Sequence, residues 1–224
     1  MVLLTESTQH IDFIKGVTVA SLVLASSSQY RKMLLANIGI QVDTHAPDID
    51  ETPFANESPT ALSLRLAEQK AHKVAAELEK VNSDTIIIGS DQVALVQTDA
   101  GPQLLGKPST SENAVNQLMA CQGKQVSFYT ALCLHQPSAN KTITQVDETR
   151  VFFRHNSETA IRAYVDKEQP LDCAGSFKSE GMGILLFDKI ESRDPNSLIG
   201  LPIMLLNELL GAHFNVDLLA MAAQ

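Results

Sequence analysis

The sequence predicts an α/β fold, a mixed sheet flanked by helices, and three features of the chain point to it. Short apolar runs rich in β-branched residues, such as Thr85 to Ile88, alternate with longer stretches whose apolar residues recur at helical spacing. These runs end in glycine, serine, aspartate or proline, the residues that turn a chain. There is no internal repeat or low-complexity linker, and 224 residues with 44% hydrophobic content suffice for one compact domain with an active-site cleft between two lobes.

The elements follow in order. Residues 1–21 carry no motif and read as an N-terminal extension; residues 22–212 form the domain and 213–224 a C-terminal tail. Ala20 to Ala25 is a strand, Ser26 to Tyr30 a polar loop, and Arg31 to Ile38 a helix stopped by Gly39. Ser58 and Pro59 open a long helix to about Lys80, Ser as cap and Pro at the first turn, with Leu64, Ala67, Ala71, Val74 and Leu78 on one stripe. Thr85 to Ile88 is a buried strand ending in Gly89-Ser90-Asp91-Gln92, with Val93 to Val96 as a continuation. After a Gly-Pro turn at 101 and 102, Ser109 and Glu112 have capping-box spacing for a helix reaching Cys121. Val126 to His135 and Thr142 to Arg154 pair around a turn at Pro137 to Asn140. Ser157 caps a helix to Lys167, Ile184 to Ile190 is a strand, and Leu201 to Leu210 a closing helix.

Composition excludes several function classes. A formal charge of −9 argues against a nucleic-acid partner, which needs a broad basic face to displace counterions. No window reaches the roughly 18 unbroken apolar residues of a membrane span, and the N-terminus lacks a basic-then-apolar secretory signal, so a cytoplasmic protein is expected. Cys121, Cys133 and Cys173 fit reduced, buried thiols, and the six histidines never fall three or four apart, so no zinc ligand set is read.

Candidate chemistry gathers at the turns. The serines at 26 to 28, between a strand and a helix, could meet a phosphate oxygen, with Arg31 as a bidentate donor one turn on; helix capping stays open as their role. Gly101 and Gly106-Lys107 imitate a P-loop, but Pro108 stands where that motif needs Ser or Thr; Lys107 still suits a phosphate contact. Asp91 reads as sitting at the mouth of a buried strand, with a turn role open. Asp48, Asp50 and Glu51 could hold a hard cation through oxygen, or form a solvated loop. Lys70 borders the apolar stripe of its helix, which favours snorkelling. In the glycine-rich stretch 173–183, Lys178 and Glu180 share a face if the chain is extended.

Five strings, Leu-Val-Leu-Ala-Ser-Ser-Ser at 22–28, Asp-Glu-Thr-Pro at 50–53, Gly-Ser-Asp-Gln-Val at 89–93, Leu-Gly-Lys-Pro at 105–108 and Cys-Ala-Gly-Ser-Phe-Lys-Ser-Glu-Gly at 173–181, together resemble the Maf family of nucleoside triphosphate pyrophosphatases. The resemblance implies a Maf-like, inosine triphosphate pyrophosphatase-like domain and a divalent metal, Mg or Mn. It implies Asp91 as proton acceptor for water, with Asp91 and Glu51 at the metal, and Ser26, Arg31, Lys70, Lys107 and Lys178 around the phosphates. Tyr30, Gln92 and Glu180 fall at positions that set base preference, and the Gly-Ser-Asp-Gln form looks like the branch that hydrolyses 7-methyl-GTP; Tyr30 departs from the tryptophan expected there. Hydrolysis of UTP, dTTP or CTP, and nucleotide binding in the regulation of septum formation, stand as alternatives. Relatives are often dimers, so a homodimer is implied.

Overall fold

A computed structural model describes residues 20–79 and 81–224; residues 1–19, nearly all of the expected extension, and Lys80 lie outside them. Strand β1 (Ser21–Ala25) leads through Ser28, whose side chain caps the first turn, into α1 (Gln29–Asn37). A short strand β2 (Asp43–His45) follows, then α2 (Pro59–Glu77), capped by Ser58 with Pro59 at its first turn as the sequence predicts. Strand β3 (Thr85–Thr98) turns back into β4 (Gly101–Leu105). Helix α3 (Ser111–Cys121) precedes the long pair β5 (Gln125–Gln136) and β6 (Lys141–Phe153), and α4 (Glu158–Glu168) follows. The chain ends with β7 (Phe187–Ser192), α5 (Pro195–Ile199), α6 (Ile203–Phe214) and α7 (Leu218–Ala222).

Among the described residues the strands form one mixed sheet in the order β2-β1-β3-β5-β6-β7, with β4 also on β3. Along one edge of β3, β1 runs parallel as far as Ala25 opposite Gly89, and β4 runs antiparallel from Leu105 opposite Ala94. Residues 90–93 therefore have a strand partner on the β5 side only. This break in pairing divides the sheet into two halves and lies beside Asp91.

Alternation along β3 assigns its side chains to opposite faces. Ile86 and Ile88 pack with α1 and α6, Ala94 and Val96 with α3 and α4, whereas Ile87 and Val93 meet α2. Gly89 allows α2 to lie unusually close: a Cβ there would stand 2.1 Å from the Ala67 carbonyl oxygen.

Several expectations are corrected. Gly89 to Gln92 is no turn or strand end but the interior of β3, because β5 pairs without interruption from Ile87 to Val96. The helix after Ser58 stops at Glu77 rather than near Lys80. Thr110, not Ser109, caps α3 by accepting from the Asn113 N–H. Gly101 and Pro102 belong to edge strand β4, where proline's missing donor is tolerated. Met182–Leu186 forms a 3₁₀ turn instead of a strand, leaving Ile184 and Leu185 exposed, and strand pairing starts only at Phe187. The stretch 173–181 is folded rather than extended, with positive φ at Gly175 and Ser176. The expected tail forms the end of α6 and α7, and Val216 and Leu218 enter the core.

Candidate active site

The break in the sheet is lined from three directions. Asp91 projects from β3 onto the face covered by α2, where Lys70 comes down from the helix; both are almost fully buried. The Lys70 Nζ donates to Asp91 Oδ1 at 2.6 Å and lies 2.6 Å from Glu51 Oε1, contributed by the irregular segment before α2. Lys70 is thus no snorkelling residue: its ammonium is enclosed between two carboxylates because the small Ala67 and Ala71, together with Gly89, bring the helix against the strand.

Electrostatics follow from this enclosure. Burial raises the Asp91 pKa above the ordinary carboxylate value, and Lys70 and Arg31 offset only part of it. Burial acts in the same sense on Glu51, but the hydrogen bond and charge of Lys70, aided by Lys107 and Arg31, outweigh it and hold that carboxyl below its usual range. Burial lowers the Arg31 pKa, against the pull of Asp91 and Glu51. Lys107 is exposed on its loop, yet its charge reaches Glu51.

Arg31 is held by a support the sequence did not reveal. Its Nε donates to the Gly200 carbonyl at 2.7 Å and an Nη to Ser26 Oγ at 3.2 Å. Ser26 Oγ also accepts from the Ser28 N–H, so the serine loop is wound round the guanidinium as well as capping α1. Gly200 has φ +121, and an added Cβ would meet Arg31 Nε at 3.4 Å. Its carbonyl also accepts from Ser90 Oγ.

Behind Gly200 lies a buried polar network. The Gln92 amide donates to Thr130 Oγ1 and to the Ser197 and Leu198 carbonyls, Thr130 donates to the Ser197 carbonyl, and the Ser197 hydroxyl donates to Asp147. Asp194 accepts from the Asn196 and Met204 N–H groups and so joins the starts of α5 and α6. Gln92 therefore lies on the face of β3 opposite Asp91. Asp194-Pro195 followed by Gly200 is a cap, first-turn and stop signature that could have disclosed α5.

A second group lies against the start of α1. Cys173 Sγ is 4.0 Å from the Tyr30 hydroxyl, and burial, then the charges of Cys173, Asp172 and Glu180, raise the phenol's pKa. Burial, followed by Asp172, pushes the Cys173 thiol up to about 12. Lys178 Nζ donates to the Glu168 carbonyl at the end of α4. The folding of 173–181 thus brings Glu180 into the field of Tyr30, while Tyr30 and Arg31, adjacent in sequence, join this group to the Asp91 group. Asp48 and Asp50 stay exposed, and Asp50 Oδ1 accepts from the Thr52 N–H.

Among the described residues no group of three His, Cys, Asp or Glu side chains is placed to hold a metal. The donor set at the break is two carboxylates. That suits a hard cation which binds one or two carboxylates and takes its other ligands from water and substrate phosphates. No helix of the described residues is long and apolar enough to cross a membrane.

Over residues 21–213 the chain matches the family described as Maf-like protein. It is 48% identical over 192 residues to the 7-methyl-GTP pyrophosphatase of Alcanivorax borkumensis, covering 86% of this chain and 93% of that one. It is likewise 48% identical over 190 residues to the protein of that name from Nitrosococcus oceani, covering 85% and 92%. The corresponding protein of Vibrio vulnificus is 46% identical over 189 residues, covering 84% and 93%.

Proposed function

Because this chain belongs to the Maf-like family, we propose that it hydrolyses 7-methyl-GTP to 7-methyl-GMP and diphosphate, removing a modified nucleotide from the pool. The observation that carries the reading is the Lys70 ammonium enclosed between Asp91 and Glu51 beside the break in the sheet. It supplies a carboxylate of raised basicity next to concentrated positive charge, as attack of water on an inner phosphoanhydride requires.

In this scheme Asp91 accepts a proton from water as the oxygen forms a bond to the α-phosphorus. The bond from that phosphorus to the bridging oxygen breaks, and diphosphate leaves. Lys70, Lys107, Arg31 and Lys178 bind phosphate oxygens, and Ser26 orients Arg31. Asp91 and Glu51 would hold a divalent cation, Mg or Mn, which when bound neutralises phosphate charge. Tyr30 offers an aromatic face and Glu180 a carboxylate, both suited to the positive charge that methylation places on the guanine ring. Gln92 acts on base preference from behind, through the α5 segment it fastens. The free thiols support a reducing, cytoplasmic setting.

Incubating the protein with Mg²⁺ or Mn²⁺ and a panel of triphosphates tests the reading. The highest kcat/KM is expected for 7-methyl-GTP, and Glu180→Gln should narrow its lead over GTP. No diphosphate from any nucleotide would sink the enzyme reading; a preference for UTP, dTTP or CTP would move it to those substrates.

A further inference from the structure

Of the Asp91, Lys70 and Glu51 side chains it is the Glu51 carboxylate that is exposed, and it sits on a segment, 46–57, with no helix or strand of its own. Such a segment needs an external fastening if its carboxylate is to stay on Lys70. Arg65, on α2 five residues before Lys70, is placed to supply it. Its Nε and one Nη donate to the two oxygens of Glu57 at 2.7 and 2.8 Å, a bidentate pair. The same Nη donates to the Thr52 carbonyl at 3.1 Å, and the other donates to Gln69 Oε1 at 3.2 Å. The guanidinium carbon lies 4.0 Å from the centre of the Phe54 ring. Glu57 in turn accepts from the Phe54 N–H.

One side chain thus grips the segment at Thr52, Phe54 and Glu57, directly after Glu51. On the other side of Glu51, Ile49 packs on Leu62, Leu66 and Val93. Arg65 and Lys70 leave the same helix, so the grip and the ammonium that Glu51 reaches are held in one rigid frame. We propose that Arg65 is a positioning residue: its planar fork fastens the 50–57 segment to α2 and so holds Glu51 in the Lys70–Asp91 cluster. Lysine would not serve, since a single ammonium cannot make the bidentate pair, bind the Thr52 carbonyl and stack on Phe54 together.

The proposal rests on the pyrophosphatase reading for its effect on rate, but the fastening is testable without it. Hydrogen exchange of the nucleotide-free and metal-free protein is compared for wild type, Arg65→Met, Arg65→Lys and Glu57→Gln. All three variants are expected to lose protection in 50–57 while β3 and β5 keep theirs. Their kcat/KM for 7-methyl-GTP should fall, and the Mg²⁺ concentration for half-maximal rate should rise, each by roughly 10- to 100-fold for Arg65→Met, as for lost outer-shell support. Wild-type exchange and Mg²⁺ dependence in the variants overturn the proposal, as does full rescue by lysine. Should Arg65→Met lose protection throughout the chain, Glu57→Gln, which keeps the volume of the side chain and leaves Arg65 in place, decides on the same two readouts. A wild-type protein inactive on every triphosphate overturns the enzyme reading instead, and the exchange result still decides the fastening.

Discussion

Lys70 and Asp91 are 21 positions apart, and neither is informative without the other. On a helix stripe a lysine between apolar neighbours reads as snorkelling, and an aspartate after Gly-Ser reads as a turn; each reading fails because the partner supplies what burial alone would forbid. With Asp91 as the proton acceptor, Asp91→Asn is expected to cut kcat by about 10²- to 10⁴-fold, the range for a positioned acid or base. Diphosphate release measures it, and an unchanged circular dichroism spectrum shows that the fold persists. Of the residues proposed to meet the phosphates, Lys107 and Lys178 lie within motif strings, whereas Arg31 and Lys70 stand outside them. Asp147 and Ser197 were not legible, because they are buried groups that bond each other across 50 positions of the chain, and no local pattern marks such a residue.

Helices were legible where they carry their own start signals. Ser58-Pro59 and Ser157 mark α2 and α4 because a side-chain oxygen satisfies a free N–H within the same few residues. Strand β3 was legible at both ends, Thr85 to Ile88 and its continuation Val93 to Val96, but not through its middle, since Gly89-Ser90-Asp91-Gln92 has turn composition and only pairing with β5 keeps it straight. Strands β2 and β4 were missed for a related reason: short edge strands have one partner and little burial. The closeness of α2 to β3 gives a test at this scale. Gly89→Ala would drive a methyl group into the Ala67 carbonyl, so stability should fall by about 1–3 kcal/mol, the usual cost of overpacking. Chemical denaturation measures it, and activity should fall with it because α2 carries Lys70.

Across the molecule, β3 and β5 run from one half of the core to the other, and α2 covers the sheet on the Asp91 face. Two residues beyond Lys70, His72 of α2 packs against His135 of β5 with ring centres 4.2 Å apart and planes tilted by 43°. His135 bonds Thr142, while Glu68 lies 3.8 Å from His72. Burial first, then His72, holds the His135 pKa below its ordinary 6.5. A histidine that binds its proton less readily when folded adds stability above its unfolded pKa, and that stability is lost as pH falls through 6.5 toward the depressed value. The urea midpoint is therefore expected to drop between pH 7.5 and 5.5, and His135→Gln should flatten that drop; an equal drop in the variant would exclude His135 as its source. The α/β class and the mixed sheet were legible from alternating periods. A cleft between two lobes was expected, but its place in the sheet was not legible, because it depends on where β1 stops and β4 starts along a shared neighbour.

That division also has a mechanical side. The two halves are spanned by β3, β5 and β6, long hydrogen-bonded strands rather than a linker, so they behave as the leaves of a spring. Spreading them means bending the ribbon against its ladder of hydrogen bonds, and the gap should keep nearly the same width empty or filled. Discrimination among nucleotides would then fall to the side chains at its rim, while the beam beneath acts as a fixed gauge.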